Sequence, residues 1–421
     1  MPALARLVRA LAVALTAVAL VVGVGTSAPA KTVGTNNQPI TNRAGVTFGV
    51  LSHRGGALQW PENSVEAFEN SVAAGFDSIE TDILFTADGQ AVMSHYDVLP
   101  ARCTNAGESI HLMTSAQVAE VRCADLSGQK VVPLATFAQL ADALAKNPQV
   151  GLTLDIKSYV GQPAAEQRAY AEQAIQQVQD HGLLGRTSII SFYWKNHLPV
   201  IRKAAPKIYV LALDNGTMDL DRVRLADKLK ADGYGIKMKY TSEYLVKYTK
   251  AKGMDAVPWE VLGDEQRAFG IYYGGKLQLF SSDEPTTTRT QLVAGQINLN
   301  PVPTPTLTSL GTPVLLSLAK CVKNKRSYPL VSGTAVPKED VAQLRSVTLS
   351  ITVTGGKGTG KLYVGGMSTP LKSSVSKKLP KGTSTFTISA PLGDKGKLRI
   401  YTTKTVTLTV TAVAYTRVRF A

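Results

Sequence analysis

Between residues 45 and 285, short apolar runs rich in β-branched side chains alternate with helical patterns, and this alternation limits the fold more than any bulk property does. Strands are expected at 46–52, 78–84, 90–95, 150–156, 187–192, 208–213, 234–238, 256–259 and 277–281. Helices are expected at 65–74, 136–146, 164–181 and 242–252. In the first helix Val65, Phe68 and Val72 share a face, Asn63 and Glu66 read as a capping-box start, and Gly75 reads as the stop. Neighbouring parallel strands need a crossover between them, and helices at these places supply it. A stretch of this length suits an α/β fold of the (β/α)₈ barrel type, the TIM barrel. Nine candidates are one too many, so one lies outside the ring or two are one strand.

Past Pro285 the pattern changes. Residues 286–288 and the run Pro301-Val302-Pro303-Thr304-Pro305 read as linker. Beyond them Thr/Val/Ser/Leu alternation, as in Thr405, Thr407, Thr409 and Thr411 against Val406, Leu408, Val410 and Ala412, reads as a small all-β sandwich. The expected plan is therefore an export signal at 1–30, a barrel at 45–290, a linker at 291–310 and a β-sandwich at 311–421.

Charge follows the same boundary. The formal net charge is +15, and residues 301–421 hold 18 Lys+Arg against 3 Asp+Glu, while the first 300 hold 28 of each. All the excess sits in the last part, which marks a domain with its own anionic partner: a cell-wall polymer, a membrane surface or extracellular nucleic acid. The competing reading is that the lysines only keep a sandwich soluble. Trp60, Trp194 and Trp259 all lie upstream, so the tail has no tryptophan for base stacking, and no specific nucleic-acid partner is expected.

At the other end, Arg6 and Arg9 precede an apolar run over 10–24, and Ala28-Pro29-Ala30 offers a small-residue cleavage pattern. The run is short of the roughly 20 apolar residues of a spanning helix, so the chain reads as secreted, with wall association through the basic tail. In an oxidising compartment Cys103 and Cys123 can pair, closing a loop of about 20 residues and adding ~3 kcal/mol. The alternative is three unpaired thiols; under the first reading Cys321 stays single. No cysteine spacing suits a zinc-thiolate site.

The polar residues collect where barrel strands would end: His53, Glu80 with Asp82, His95, Asp155 with Lys157, Trp259 and Asp283. That end of a barrel carries the active site. Four segments stand out, Ser52-His53-Arg54-Gly55-Gly56, Pro61-Glu62-Asn63-Ser64, Ile79-Glu80-Thr81-Asp82 and Ser94-His95-Tyr96-Asp97. Carboxylate oxygens suit a hard cation, histidines move protons near neutral pH, and a guanidinium holds phosphate oxygens. Together they suit the opening of a phosphodiester.

In order, His-Arg-Gly, Pro-Glu-Asn-Ser, Glu-Thr-Asp, His-x-Asp, Asp-Ile-Lys, Ser-Phe and a late Ser-Asp-Glu-Pro resemble the motifs of the glycerophosphodiester phosphodiesterases over about residues 47–285. The resemblance implies a metal-dependent barrel enzyme that releases sn-glycerol 3-phosphate and an alcohol from small or polymeric diesters, such as deacylated phospholipids or wall teichoic acid. It makes Glu80, Asp82 and Asp155 the ligands of one divalent ion, Ca²⁺ or Mg²⁺, and His53 and His95 the acid–base pair. Arg54 and Lys157 would hold the phosphate, Glu62 would reach across the mouth, and Trp259 with Phe192 would wall the pocket. Capping accounts for Asn63, and Gly55 and Gly56 would let the backbone approach the ligand. His111, His181 and His197 have no carboxylate company in the sequence and read as structural, the last two at helix ends or in loops.

The chain departs from that pattern in three places. Asp155 stands where glutamate is usual, Tyr96 separates His95 from Asp97, and the two cysteines fall where the family often inserts a substrate-facing lobe. That lobe is expected to be small and disulfide-stapled. The rival functions are a phospholipase D-like or lyase activity on intact lipids, and a non-catalytic protein that binds anionic wall polymer.

Overall fold

The computed structural model describes residues 40–41, 47–216, 219–241, 243–261, 266–267, 271, 279–301, 303–321, 326–329, 344–358, 361–366, 375–391, 397–402 and 406–420. The export signal read over 1–30 lies outside them, as do Val46, Leu277, Gln278 and Thr405. The chain divides into two compact units, one running to Asn300 and one made of Pro301–Ala421 with Lys239–Tyr248.

In the first unit eight parallel strands follow one another around the sheet. They are β1 (Thr47–Ser52), β2 (Ser78–Phe85), β4 (Gly151–Ile156), β5 (Thr187–Ser191), β6 (Tyr209–Asp214), β7 (Gly233–Ile236), β8 (Asp255–Ala256) and β9 (Leu279–Ser282), with β9 pairing back onto β1. Helices α1 (Val65–Ala73), α2 (Phe137–Ala145), α3 (Ala164–Asp180), α4 (Trp194–Ala204), α5 (Leu220–Lys228) and α6 (Glu243–Ala251) lie between successive strands, and α7 (Pro285–Val293) follows β9. This arrangement fits the (β/α)₈ barrel. The ninth candidate is β3 (Ala91–Met93), which pairs antiparallel with β2 beside the ring.

Burial explains the strands. Every residue of β2 is buried, so its two faces serve different purposes. Ser78, Glu80 and Asp82 share one face, and the Ser78 hydroxyl begins a row with Thr153 (3.2 Å) and Ser188 (3.1 Å) across three strands. Apolar residues fill much of the rest: Phe48 stacks on Phe280 at 5.7 Å, and both pack with Val50, Leu211, Leu213 and Val257. Each such side chain removed from water adds about 2 kcal/mol.

Helix α1 starts at Val65 as expected, but from a different cap. Ser64, not Asn63, is its cap, accepting from the Ala67 amide at 3.1 Å, and Gly75 stops it with a φ of 62°. Residues 286–288, expected in linker, belong to α7, where Pro285 opens the helix at a position that needs no amide hydrogen. The expected linker from 303 onward is instead the start of strand β10 (Pro303–Cys321).

Between β3 and α2 lies a small lobe. It carries a two-stranded hairpin, Arg122–Ala124 with Val131–Pro133, and the Cys103–Cys123 disulfide. His111, read from sequence as having no carboxylate partner, proves to have one. Its Nδ1 meets Asp97 Oδ2 at 2.8 Å, and its ring stacks on Tyr159 at 3.8 Å, fastening the lobe to the loop after β4.

The second unit has two four-stranded antiparallel sheets. One has the order β10, β17 (Val406–Phe420), β12 (Leu344–Lys357), β15 (Lys381–Pro391); the other is β11 (Arg326–Pro329), β16 (Lys397–Thr402), β13 (Lys361–Gly366), β14 (Val375–Lys378). Inward residues of both, including Leu349, Ile351, Leu362, Val364, Ile400 and Val410, share one apolar core.

Gly235 on β7 has no room for a side chain, because an added Cβ would lie 1.8 Å from the Val257 carbonyl oxygen, whereas Gly185 faces open space. Gly235→Ala is expected to cost about 3 kcal/mol or more and Gly185→Ala under about 0.5 kcal/mol in a denaturant titration. Equal effects would show that β7 and β8 are not packed as described.

Candidate active site

Three carboxylates define the centre. Glu80 and Asp82 are two apart on β2, and Asp155 is paired beside Asp82 on β4, so all three project to one side. One oxygen from each falls within 4.8 Å of the others, and the residues are 2%, 1% and 3% exposed. Burial raises Glu80 to about 7, helped by the neighbouring Asp82 charge, and burial likewise raises Asp155. Burial would raise Asp82 too, but the Lys157, His95 and Arg54 charges and the Asn63 hydrogen bond hold it well below the usual carboxylate range.

Two cations offset the trio. Lys157, two residues beyond Asp155, places Nζ 2.9 Å from Asp82 Oδ1 and 2.5 Å from Asp155 Oδ2. The Arg54 amide donates to Glu80 Oε2 at 2.9 Å, its Nη1 to Glu62 Oε2 at 2.8 Å, and its Nε lies 3.6 Å from Asp82. Three buried carboxylates against two such cations leave negative charge uncompensated, and the buried Asp155 Oδ1 has no hydrogen-bond partner. This donor set, all hard oxygen, fits a Ca²⁺- or Mg²⁺-like ion.

The turn after β1 is wound tightly to bring these groups in. Arg54, Gly55 and Gly56 have φ of 51°, 79° and 96° in succession. The two glycines are needed for close packing. A Cβ on Gly55 would meet Ala67 Cβ at 2.7 Å, and one on Gly56 would meet the Trp60 ring at 2.9 Å. Asn63, expected to act as a cap, is itself left-handed (φ 53°) and buried. Its Nδ2 donates to Asp82 Oδ2 at 2.9 Å and its Oδ1 accepts from Thr81 at 2.7 Å, which fixes the carboxylate plane.

The two histidines differ. His53 Nδ1 meets Asp283 Oδ1 at 2.5 Å, leaving Nε2 on the site side, 3.7 Å from Glu80. Burial opposes its protonation, but the Glu80 charge and the Asp283 hydrogen bond outweigh that and raise it. His95 is pushed down to about 3, first by burial and then by Lys157 and Arg54 despite Asp82. Of the two rings His95 is the less basic and His53 the more basic.

His53, Arg54, Glu80, Asp82, His95, Asp155, Lys157 and Trp259 line one cavity of about 410 Å³. Phe192 stands edge-on to Trp259 at 5.1 Å on its wall, and Tyr193, Asn215 and Ser158 complete a side that no sequence motif singles out. Glu62 lies outside this lining. It receives Arg54 on one oxygen and Arg102 on the other, and both guanidinium groups sit 6.0 Å from the Tyr96 ring. Arg102 precedes Cys103, so the stapled lobe reaches the mouth through that residue. The sequence does not disclose the positioning roles of two residues: Asn63, which resembles a cap, and Asp283, whose partner lies 230 residues away. His197 is not a loop residue but is buried in α4, bonded to Ser191 Oγ at 2.9 Å.

A parallel barrel with a buried carboxylate trio, two histidines, an arginine and a lysine at its strand ends is the type of site that suits phosphodiester cleavage. Residues 53–275 match the Glycerophosphoryl diester phosphodiesterase family, and the chain belongs to that family of enzymes. It is 25% identical over 220 residues to a glycerophosphodiester phosphodiesterase of Caldanaerobacter subterraneus subsp. tengcongensis, covering 50% of this chain and 85% of that protein. It is 24% identical over 179 residues to one of Bacillus altitudinis, covering 41% of this chain and 67% of that protein. Among solved structures, one from Silicibacter pomeroyi assigned as a glycerophosphoryl diester phosphodiesterase aligns with a TM-score of 0.52 at 22% identity, covering 61% of this chain and 95% of that one. That likeness bears on the fold alone.

Asp283 supplies both a hydrogen bond and a charge to His53. Asp283→Asn removes the charge, so the His53 titration followed by NMR is expected to move to lower pH. An unmoved titration would mean that Asp283 does not set the basicity of this ring.

Proposed function

We propose that this protein is a secreted, metal-dependent phosphodiesterase that hydrolyses glycerophosphodiesters to sn-glycerol 3-phosphate and an alcohol. The observation that carries the reading is the convergence of Glu80, Asp82, Asp155, His53, His95, Arg54 and Lys157 on one cavity. Glu80, Asp82 and Asp155 would hold the divalent ion. When bound, such an ion neutralises phosphate charge and supports the attacking oxygen. Arg54 grips phosphate oxygens as a fork and Lys157 as a point charge. One histidine takes the proton of the attacking water, or of a substrate hydroxyl whose cyclic product water then opens, and the other returns a proton to the leaving alkoxide. Phe192 and Trp259 give the non-reacting part of the substrate an apolar wall.

The C-terminal unit, which we read as a basic β-sandwich, would bind an anionic polymer outside the cell and hold the barrel near polymeric or deacylated-lipid diesters. The 18-to-3 ratio of basic to acidic residues over 301–421 supports this reading.

Release of glycerol 3-phosphate from glycerophosphocholine should require Ca²⁺ or Mg²⁺, stop in EDTA, and fall by about 10³-fold in His53→Ala. EDTA-resistant turnover, or a His53→Ala variant as active as the parent, would overturn the proposed mechanism. Asn63 orients Asp82, so Asn63→Ala should weaken activation by the divalent ion about 10- to 100-fold. This is read as a shift in the cation concentration giving half-maximal rate, with the rate at saturating cation changed far less. An unshifted cation dependence would reduce Asn63 to a structural role.

A further inference from the structure

We infer that the half of the cavity lined from the ends of β5, β6 and β8 is a subsite for the leaving alcohol, and that it selects alcohols bearing several hydroxyls, such as glycerol or inositol, over choline. The subsite presupposes the phosphodiesterase reading above and gives it a substrate class.

The cavity has two unlike halves. Among the described residues, its histidines and charged side chains come from β2, β4 and the segments just after β1, β3 and β4. Facing them, Ile190, Phe192, Tyr193, Leu213, Asn215 and Trp259 come from β5, β6 and the segments just after β5, β6 and β8. A diester whose phosphate sits on the first half lays one arm against the second. Every glycerophosphodiester has the glycerol arm in common, so a choice among them is made by whatever holds the other arm.

The second half is built around a fixed ring. The Trp259 Nε1 donates to the Asp214 carbonyl at 3.1 Å, and Phe192 meets the indole edge-on at 5.1 Å. Asp214 is itself held, its carboxylate accepting from Arg222 and, at 2.7 Å, from the Tyr234 hydroxyl. Lys237 places Nζ 4.7 Å from the Trp259 ring centre while pairing with Glu260 at 3.0 Å. Glu260 makes that pair from a left-handed backbone, with a φ of 56°, which a residue with a Cβ seldom adopts. A ring held this firmly offers flat apolar area at little entropic cost, which suits the C–H face of a carbon chain or ring.

Polar groups with unused hydrogen-bonding capacity stand beside it. Among the described residues, the Tyr193 hydroxyl and the Asn215 amide have no protein partner, and the buried Ser158 Oγ has none either. Hydroxyls both donate and accept, so a polyol can answer all three groups, whereas the trimethylammonium of choline can answer none. Choline would be drawn instead by cation–π attraction, but cations already stand at these rings: Lys157 Nζ lies 5.9 Å from the Phe192 centre, as Lys237 does closer in at Trp259. A site built to hydrogen-bond hydroxyls penalises an alcohol that lacks them, because its polar groups are then left unpaired.

The test compares kcat/KM for release of glycerol 3-phosphate by the mature protein from glycerophosphoglycerol, glycerophosphoinositol and glycerophosphocholine. Both polyol substrates are expected to be preferred over glycerophosphocholine by at least about tenfold. In a triple variant carrying Ser158→Ala, Tyr193→Phe and Asn215→Ala, that ratio should fall by about tenfold, toward one. A ratio taken within one preparation does not depend on the fraction folded, so misfolding cannot imitate the result. A parent that shows no preference, or prefers choline, would overturn the subsite and leave the phosphodiesterase reading standing. A preference that survives in the triple variant would overturn the assignment to these residues. Equal losses on all three substrates would mean that these groups hold the common glycerol arm, which also overturns it. No glycerol 3-phosphate from any of the three would overturn the phosphodiesterase reading and the subsite with it.

Discussion

Everything at the mouth of this barrel answers to one electrostatic problem, the burial of three carboxylates in contact. Isolated, each would cost several kcal/mol to keep charged away from water. The chain meets that cost with Lys157 spanning Asp82 and Asp155, with the Arg54 amide on Glu80, and with Asn63 on Asp82. These partners dictate the local backbone. Arg54 reaches Glu80 only because three consecutive residues turn left-handed, and that turn is possible only because two of them are glycine. The compensation is incomplete, and its remainder, an unpartnered Asp155 oxygen and a raised Glu80, is the feature that suits a hard cation.

Much of the barrel is legible in the sequence because periodicity is a local signal. The strands lie within a few residues of the apolar runs that announce them, and the period-two spacing of Glu80 and Asp82 is enough to put both on a shared face. Asn63 shows where local reading fails. Asn before Ser and a helix looks like a cap, and only the packed turn reveals that Ser64 does the capping while Asn63 points inward. Asp283 shows a second limit. Its importance comes from ring closure, which brings β9 beside β1, and no local pattern announces that it meets His53. The early strand of the second unit passes for linker because Pro-Thr alternation reads as a spacer, although prolines are tolerated in strands at edges.

The small lobe rewards the same scrutiny. Asp97 holds His111, and His111 stacks on Tyr159. The aspartate thus has a scaffolding task here. The neighbouring Tyr96 ring has two guanidinium groups, those of Arg54 and Arg102, 6.0 Å from its centre.

Between the disulfide and Arg54 there are few steps: Cys103 adjoins Arg102, Arg102 holds Glu62, and Glu62 holds Arg54. A covalent bond is thus linked through two ion pairs to an arginine that lines the cavity. The bond that closes the lobe therefore also limits how far Arg102, and with it Glu62, can move at the cavity mouth.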